Sequence, residues 1–149
     1  MNDNKSAYNS GIYDKNIVST LPYYREYHNQ IIDVVTAVQS HHYLKPDERR
    51  QAVANCFRAL KDKGVFVTFE NIRMTTETSD KVALKRWENF LSDNLKDPDI
   101  VKMHINRRGV EVFPITIEEH INLLREAGFK SVDVLWTSYL QAGFWAMKE

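Results

Sequence analysis

The chain has 149 residues, 43% hydrophobic and 27% charged, and its 20 basic and 20 acidic residues cancel to a formal net charge of zero. That length suits one domain with its own core, and the balanced charge argues against a protein held to nucleic acid by a basic excess. The single Cys56 permits no internal disulfide and fits a reducing cytoplasm, the opening MNDNKSAYNS lacks an apolar secretory h-region, and no apolar run is long enough to span a bilayer.

The first dozen residues are polar and expected to fray. From Asn16 to about Val35 the pattern is helical: Ile17, Leu21, Tyr24, Tyr27, His28, Ile31 and Ile32 fall on one face, and Pro22 starts a new helix. Residues 1–33 thus read as an N-terminal helical segment of a single domain spanning 1–149. Val34–Gln39 is the first strand, a β-branched run that stops at Ser40-His41-His42. Pro46-Asp47-Glu48 opens a helix with acids in its first turn, and Val53, Cys56, Phe57 and Leu60 form its apolar stripe. Lys61-Asp62-Lys63-Gly64 is expected to end it, with Gly64 as a left-handed cap.

Val65–Phe69 is a continuous apolar run, suited to a strand buried on both faces, and Glu70-Asn71-Ile72-Arg73 begins a loop at its carboxyl end. Thr75 to about Ile105 reads as one or two helices with Val82, Leu84, Trp87, Phe90, Leu91 and Leu95 on the apolar face, restarting at Asp97-Pro98-Asp99. Arg107-Arg108-Gly109 is a turn. Thr116 and Glu119 form a capping box for a helix whose Ile121, Leu123, Leu124 and Ala127 face inward, and Gly128 stops it. Val132, Val134 and Trp136 alternate as a third strand, and Phe144–Met147 make a fourth. Trp136 and Phe144 are expected in the core, Arg49-Arg50 and Arg107-Arg108 on solvated faces, and His104 and His120 on helices as surface or packing residues.

The order from Val34 onward resembles the C-terminal half of a class I S-adenosylmethionine-dependent methyltransferase. DVVTAVQSHHYL looks like the fourth strand and its loop, NCFRALKDKGVFVTFENI like the next helix and fifth strand, FPITIEEHINLLREAGFKSVDVLW like the helix and sixth strand, and QAGFWAMKE like the terminal antiparallel strand. YDKNIVSTLPYYREYHNQIIDVV resembles the leading helix that caps the cofactor. The resemblance implies an α/β fold: a truncated Rossmann-like methyltransferase sheet of about four strands, the last antiparallel, with an N-terminal helix and flanking helices. Residues 34–149 would be the C-terminal half of that domain.

The resemblance also implies methyl transfer from S-adenosyl-L-methionine to an unidentified small-molecule acceptor, an in-line displacement that needs positioning more than a strong base. His41 or His42 could act as a base or orient the acceptor; alternatively the pair contacts backbone and closes the strand end. Tyr13 and Tyr24 on the leading helix, with Gln39 and Ser40 after the first strand, are the candidate cofactor contacts. Glu70, Asn71, Arg73, Tyr139 and Gln141 are the candidate acceptor contacts, with the Glu70–Arg73 stretch equally readable as a helix-capping loop. Metal binding is not expected, because adjacent histidines rarely converge on one ion without further ligands.

Such methyltransferases cradle the cofactor with a glycine-rich turn and an acidic strand end. The glycines here stand at 11, 64, 109, 128 and 143, so no two form a G-x-G turn. Two functions follow: a methyltransferase-family protein impaired or inactive as a lone monomer, or a non-catalytic homo-oligomeric binding or regulatory protein. The Val34–Gln39 strand lacks the neighbour it has in the family, and an open apolar edge invites pairing. The expectation is a homodimer joined through that edge across a two-fold axis; a separate chain supplying the missing half is a further alternative.

Overall fold

The β-branched run and the three later apolar runs all become strands of one sheet. In the computed structural model, which describes residues 32–149, the elements are β1 (Ile32–Val38), a 3₁₀ turn (His41–Tyr43), α1 (Pro46–Ala59), β2 (Leu60–Asn71), α2 (Glu77–Asn94), α3 (Pro98–Asn106), α4 (Ile117–Glu126), β3 (Ser131–Ser138) and β4 (Gln141–Met147). The sheet order is β1-β2-β4-β3, with β1 parallel to β2 and β4 antiparallel to both its neighbours. The expected α/β sheet with an antiparallel final strand is therefore present.

One face of the sheet carries the core. Phe66, Phe144, Ala146 and Val132 point into a cluster completed by Val53 of α1, Leu124 of α4 and Phe129, with Val35 and Ala37 of β1 packed against it. Phe129 meets the Phe57 ring edge-on at 5.0 Å and stacks on Phe66 at 5.8 Å. Truncating Phe66 to alanine is expected to cost about 3–5 kcal/mol of stability, measurable by denaturant unfolding.

Among the described residues little covers the other face. Val34 is 55% exposed, and on β2 the residues alternate between buried (Phe66, Thr68, Glu70) and half-buried (Val65, Val67, Phe69). The expectation that β2 is buried on both faces is corrected accordingly. Trp136 is likewise not a core residue. A bulge between Val134 and Trp136 shifts the register, placing Trp136 opposite Gly143 and beside the Phe69 ring at 6.3 Å, with 46% of its surface exposed. Gly143 makes this possible: a Cβ there would lie 2.6 Å from Phe69 Cε1. Gly143→Ala should therefore lower the unfolding midpoint, at a cost of about 1–3 kcal/mol for overpacking.

Several boundaries differ from the sequence reading. β1 begins at Ile32, so the helical pattern does not run on to Val35. The helix α1 stops at Ala59 and β2 starts at once. The cause is Lys148, whose Nζ donates to the carbonyls of Leu60 (2.6 Å) and Phe57 (3.3 Å), while Lys63 and Gly64 pair with the backbone of Lys148. The left-handed residue is Lys63 (φ 64°), not Gly64. Gly64 instead allows close approach, because a Cβ there would sit 2.7 Å from the Lys61 carbonyl oxygen.

Helix starts match their signals. Pro46 occupies the first turn of α1, and Glu48 reaches back to accept from the Lys45 amide at 3.0 Å. Thr116 Oγ1 accepts from the Glu119 amide (3.1 Å) and Glu119 Oε2 from the Thr116 amide (2.6 Å), the expected capping box of α4. Gly128 ends that helix region at φ 115°. Among the described residues no helix is long and apolar enough to cross a membrane.

Candidate functional site

The carboxyl ends of β1 and β2 open at one rim, and the chain reverses there at Gln39. This residue adopts a left-handed φ of 52°, and its amide donates to the Phe69 carbonyl at 2.7 Å, so the turn is tied to β2 as it leaves β1. The 3₁₀ turn that follows is held from beneath by Glu70, which is 0% exposed. Glu70 Oε1 accepts from the His41 amide (3.2 Å) and the Thr68 hydroxyl (2.6 Å). Its Oε2 accepts from the His42 amide (3.0 Å) and lies 2.7 Å from His42 Nδ1. Arg49 completes the support by donating to the carbonyls of His41 and Leu44 at 3.0 Å each, and also to that of Phe113.

Burial alone pushes the Glu70 carboxyl up. The hydrogen bonds from His42 and Thr68, with the charges of His41 and His42, outweigh it and leave Glu70 below the usual range. An ionised Glu70 only accepts, so a proton on His42 Nδ1 satisfies that contact, while the Asn71 amide approaches the same nitrogen at 3.3 Å. His42 Nε2 is then left buried and without a hydrogen-bond partner among the described residues. Desolvation pushes His41 below its ordinary value, Glu70 opposing and Arg49 and His42 reinforcing the shift. His120 of α4 stacks on Phe144 at 4.7 Å, and burial lowers it to about 4.

Above this buried layer lies a cleft of about 330 Å³, within the size range of small-ligand sites. Its sheet-side wall is Gln39, Asn71, Leu140 and Gln141; Tyr43 of the 3₁₀ turn flanks it. Trp87 and Leu91 of α2 and His104 of α3 face them, and Arg107, Arg108 and Val112 close one end. Arg108 is clamped there by two bonds to the Asp80 carboxylate (2.8 and 2.9 Å) and one to the Ile72 carbonyl (3.1 Å). Arg107 pairs with Glu111 at 2.7 Å and lies over the Tyr43 ring at 5.6 Å.

The predicted site residues divide into groups. Gln39, Asn71 and Gln141 converge on the cleft. His41, His42 and Glu70 lie beneath it as a buried support, so Glu70 is not free to meet an acceptor, and the loop expected at Glu70-Asn71 is the last part of β2. Ser40 is exposed at the start of the turn. Tyr139 belongs to the β3–β4 turn and packs outward against Phe90 (4.8 Å) and Arg86 (5.1 Å). Arg73 is taken up by Glu119, two bonds at 2.7 and 2.9 Å, away from the cleft. Tyr13 and Tyr24 lie outside the described residues.

Two expectations about charge are corrected. Arg49 is buried rather than solvated, because three carbonyls need its donors, and Arg108 is half-buried in its pair with Asp80. His42 has a carboxylate partner in Glu70. The signal was present in the sequence: Phe66, Thr68 and Glu70 are two apart, so in a strand they share the inward face. Burial pushes the Cys56 thiol up, which keeps it a protonated packing residue rather than a nucleophile.

No protein-family model matches the chain. Among curated proteins it is 24% identical over 111 residues to the carboxy-S-adenosyl-L-methionine synthase of Campylobacter lari, spanning 72% of this chain and 47% of that protein. It is 31% identical over 99 residues to the enzyme of the same name from Chromohalobacter salexigens, 66% of this chain and 36% of that one. Human N-acetylserotonin methyltransferase, solved with S-adenosylmethionine, superposes with a TM-score of 0.52 at 13% identity, over 82% of this chain and 32% of that one. The chain therefore shares the fold of S-adenosylmethionine-dependent methyltransferases. It spans less than half the length of these relatives.

The family's cofactor does not fit the described residues on their own. Gly64, Gly109, Gly128 and Gly143 stand in strand β2, a turn, a helix stop and strand β4, and none forms a backbone cradle beside another. The Gln39-Ser40 turn at the end of β1 stands at this rim.

Proposed function

We propose that this chain serves the acceptor side of methyl transfer: its rim cleft binds a small-molecule acceptor, and S-adenosyl-L-methionine is held only where association supplies a second wall. The observation that carries this reading is the position of the cleft, at the carboxyl ends of the parallel strands, where open α/β sheets bind ligands. The resemblance to methyltransferases supports the cofactor, and the scattered glycines argue against its capture by one chain alone. His41 and His42 then act through the turn they anchor, fixing Gln39 and Tyr43.

The open edge of β1 supports a homodimer. Among the described residues β1 pairs on one side only, with β2, and its Val34 and Val38 are exposed. Two copies joined edge to edge form one longer sheet. Light scattering across a concentration series should give a mass near twice the 17.5 kDa of one chain; a constant monomer mass at tens of micromolar would remove this part of the reading. The lone half-buried Cys56 fits a reducing compartment such as the cytoplasm.

A non-catalytic binding protein is the competing reading, favoured by the same missing cradle. The two separate on one titration. S-adenosylhomocysteine that saturates the assembled protein supports the methyltransferase, and its failure to bind any assembly supports the binding protein.

A further inference from the structure

Three neutral amides meet on one wall of the cleft. Asn71 ends β2 and Gln141 begins β4, and the two are register partners, so both side chains stand on the same side of the sheet. Gln39 joins them from the end of β1, fixed by its left-handed backbone and its bond to Phe69. Each amide offers an acceptor oxygen and two N–H donors, and the structure gives none of the three side chains a hydrogen-bond partner among the described residues. Half-buried polar groups left open on a cleft wall are groups kept for a ligand or for water.

The two guanidinium groups of the cleft are already paired. Arg108 is bound bidentate to Asp80, and Arg107 is paired with Glu111. An anionic ligand would have to displace a carboxylate to find a free guanidinium. A flat, uncharged molecule meets no such competition: it can lie against Tyr43 and Trp87 and present its edge to the amides. Side-chain amides bind bidentately to ring systems with a donor and an acceptor side by side.

We infer that the cleft selects a neutral planar heteroaromatic of one or two rings whose edge carries an N–H donor next to an acceptor. Gln39, Asn71 and Gln141 read that edge, and the inference rests on the reading of this cleft as the acceptor site. The arrangement sets specificity, since an isostere without the polar edge leaves the amides unpaired on binding.

Hypoxanthine is a suitable probe, with benzoate as a flat anion and naphthalene as a flat hydrocarbon of similar extent. Calorimetric titration into the full chain should show saturable hypoxanthine binding at least about tenfold tighter than either comparator. Gln141→Leu and Asn71→Leu should each weaken it about tenfold while leaving the thermal midpoint near wild type. Gln39→Leu serves as a third variant if either of those fails to fold. Tighter binding of benzoate or naphthalene, no binding of hypoxanthine, or variants that fold and bind unchanged would overturn the inference. Parallel titration with S-adenosylhomocysteine keeps the two readings apart. Hypoxanthine without S-adenosylhomocysteine binding removes methyl transfer and leaves the amide site standing; the reverse removes the amide site alone.

Discussion

Replacing Glu70 by alanine is expected to lower the unfolding free energy by about 3–5 kcal/mol, the range for removing one partner of a buried hydrogen-bonded pair. The carboxylate is fully buried and accepts from two backbone amides, the Thr68 hydroxyl and the His42 ring. Water cannot reach those donors to replace it, so each lost bond carries a desolvation penalty. Glu70→Gln should cost less, because one amide oxygen still accepts, although its NH₂ then faces donors. Urea or guanidinium unfolding reads both values, and a loss of under 1 kcal/mol for Glu70→Ala would show that the network is not structural. The same variant should loosen the Gln39–Tyr43 turn and weaken any ligand of the cleft, coupling stability to the site.

Acid is expected to destabilise the fold before the carboxylates titrate. His120 stands at about 4 in the folded protein against an ordinary 6.5. Its folded value is the lower one, so the unfolded chain takes up the proton first as pH falls. The stability is fully present above pH 6.5, declines from there, and the loss attributable to His120 is complete below about pH 4. The difference corresponds to about 3 kcal/mol. His41 shifts in the same direction and adds to the slope, and Glu70 adds a further loss as pH falls through its lowered value. His120→Leu should flatten the dependence between pH 6.5 and 4 in unfolding curves taken across that window. An unchanged slope in that variant would mean that His120 is not the titrating group.

Elements governed by local rules were legible in the sequence. The caps at Pro46 and Thr116 and the stop at Gly128 follow from residues within a few positions of one another, and the antiparallel final strand was expected from the resemblance. Features set by distant contacts were not. The end of α1 is fixed by Lys148, 88 residues further on, and no pattern around Lys61–Gly64 announces it. Trp136 alternates with Val132 and Val134 in the sequence, but a bulge turns it to the other face. Of the candidate site, Gln39, Asn71 and Gln141 were named from the resemblance, and the fold brings all three to one cleft. The Glu70–His42 pair was missed because its partners are 28 residues apart. Arg49 and Arg108 were misjudged because a charge in sequence says nothing about the carbonyls and carboxylates that fold around it.

The account turns on a methyltransferase-like fold whose rim cleft is proposed to take an acceptor, with no complete cofactor cradle among the described residues. The most direct test is calorimetric titration of S-adenosylhomocysteine into the protein, with mass measured by light scattering in the same buffer. Saturable binding confined to samples of dimer mass or larger is the predicted result. Saturable micromolar binding, one site per chain, to a monodisperse monomer would contradict it.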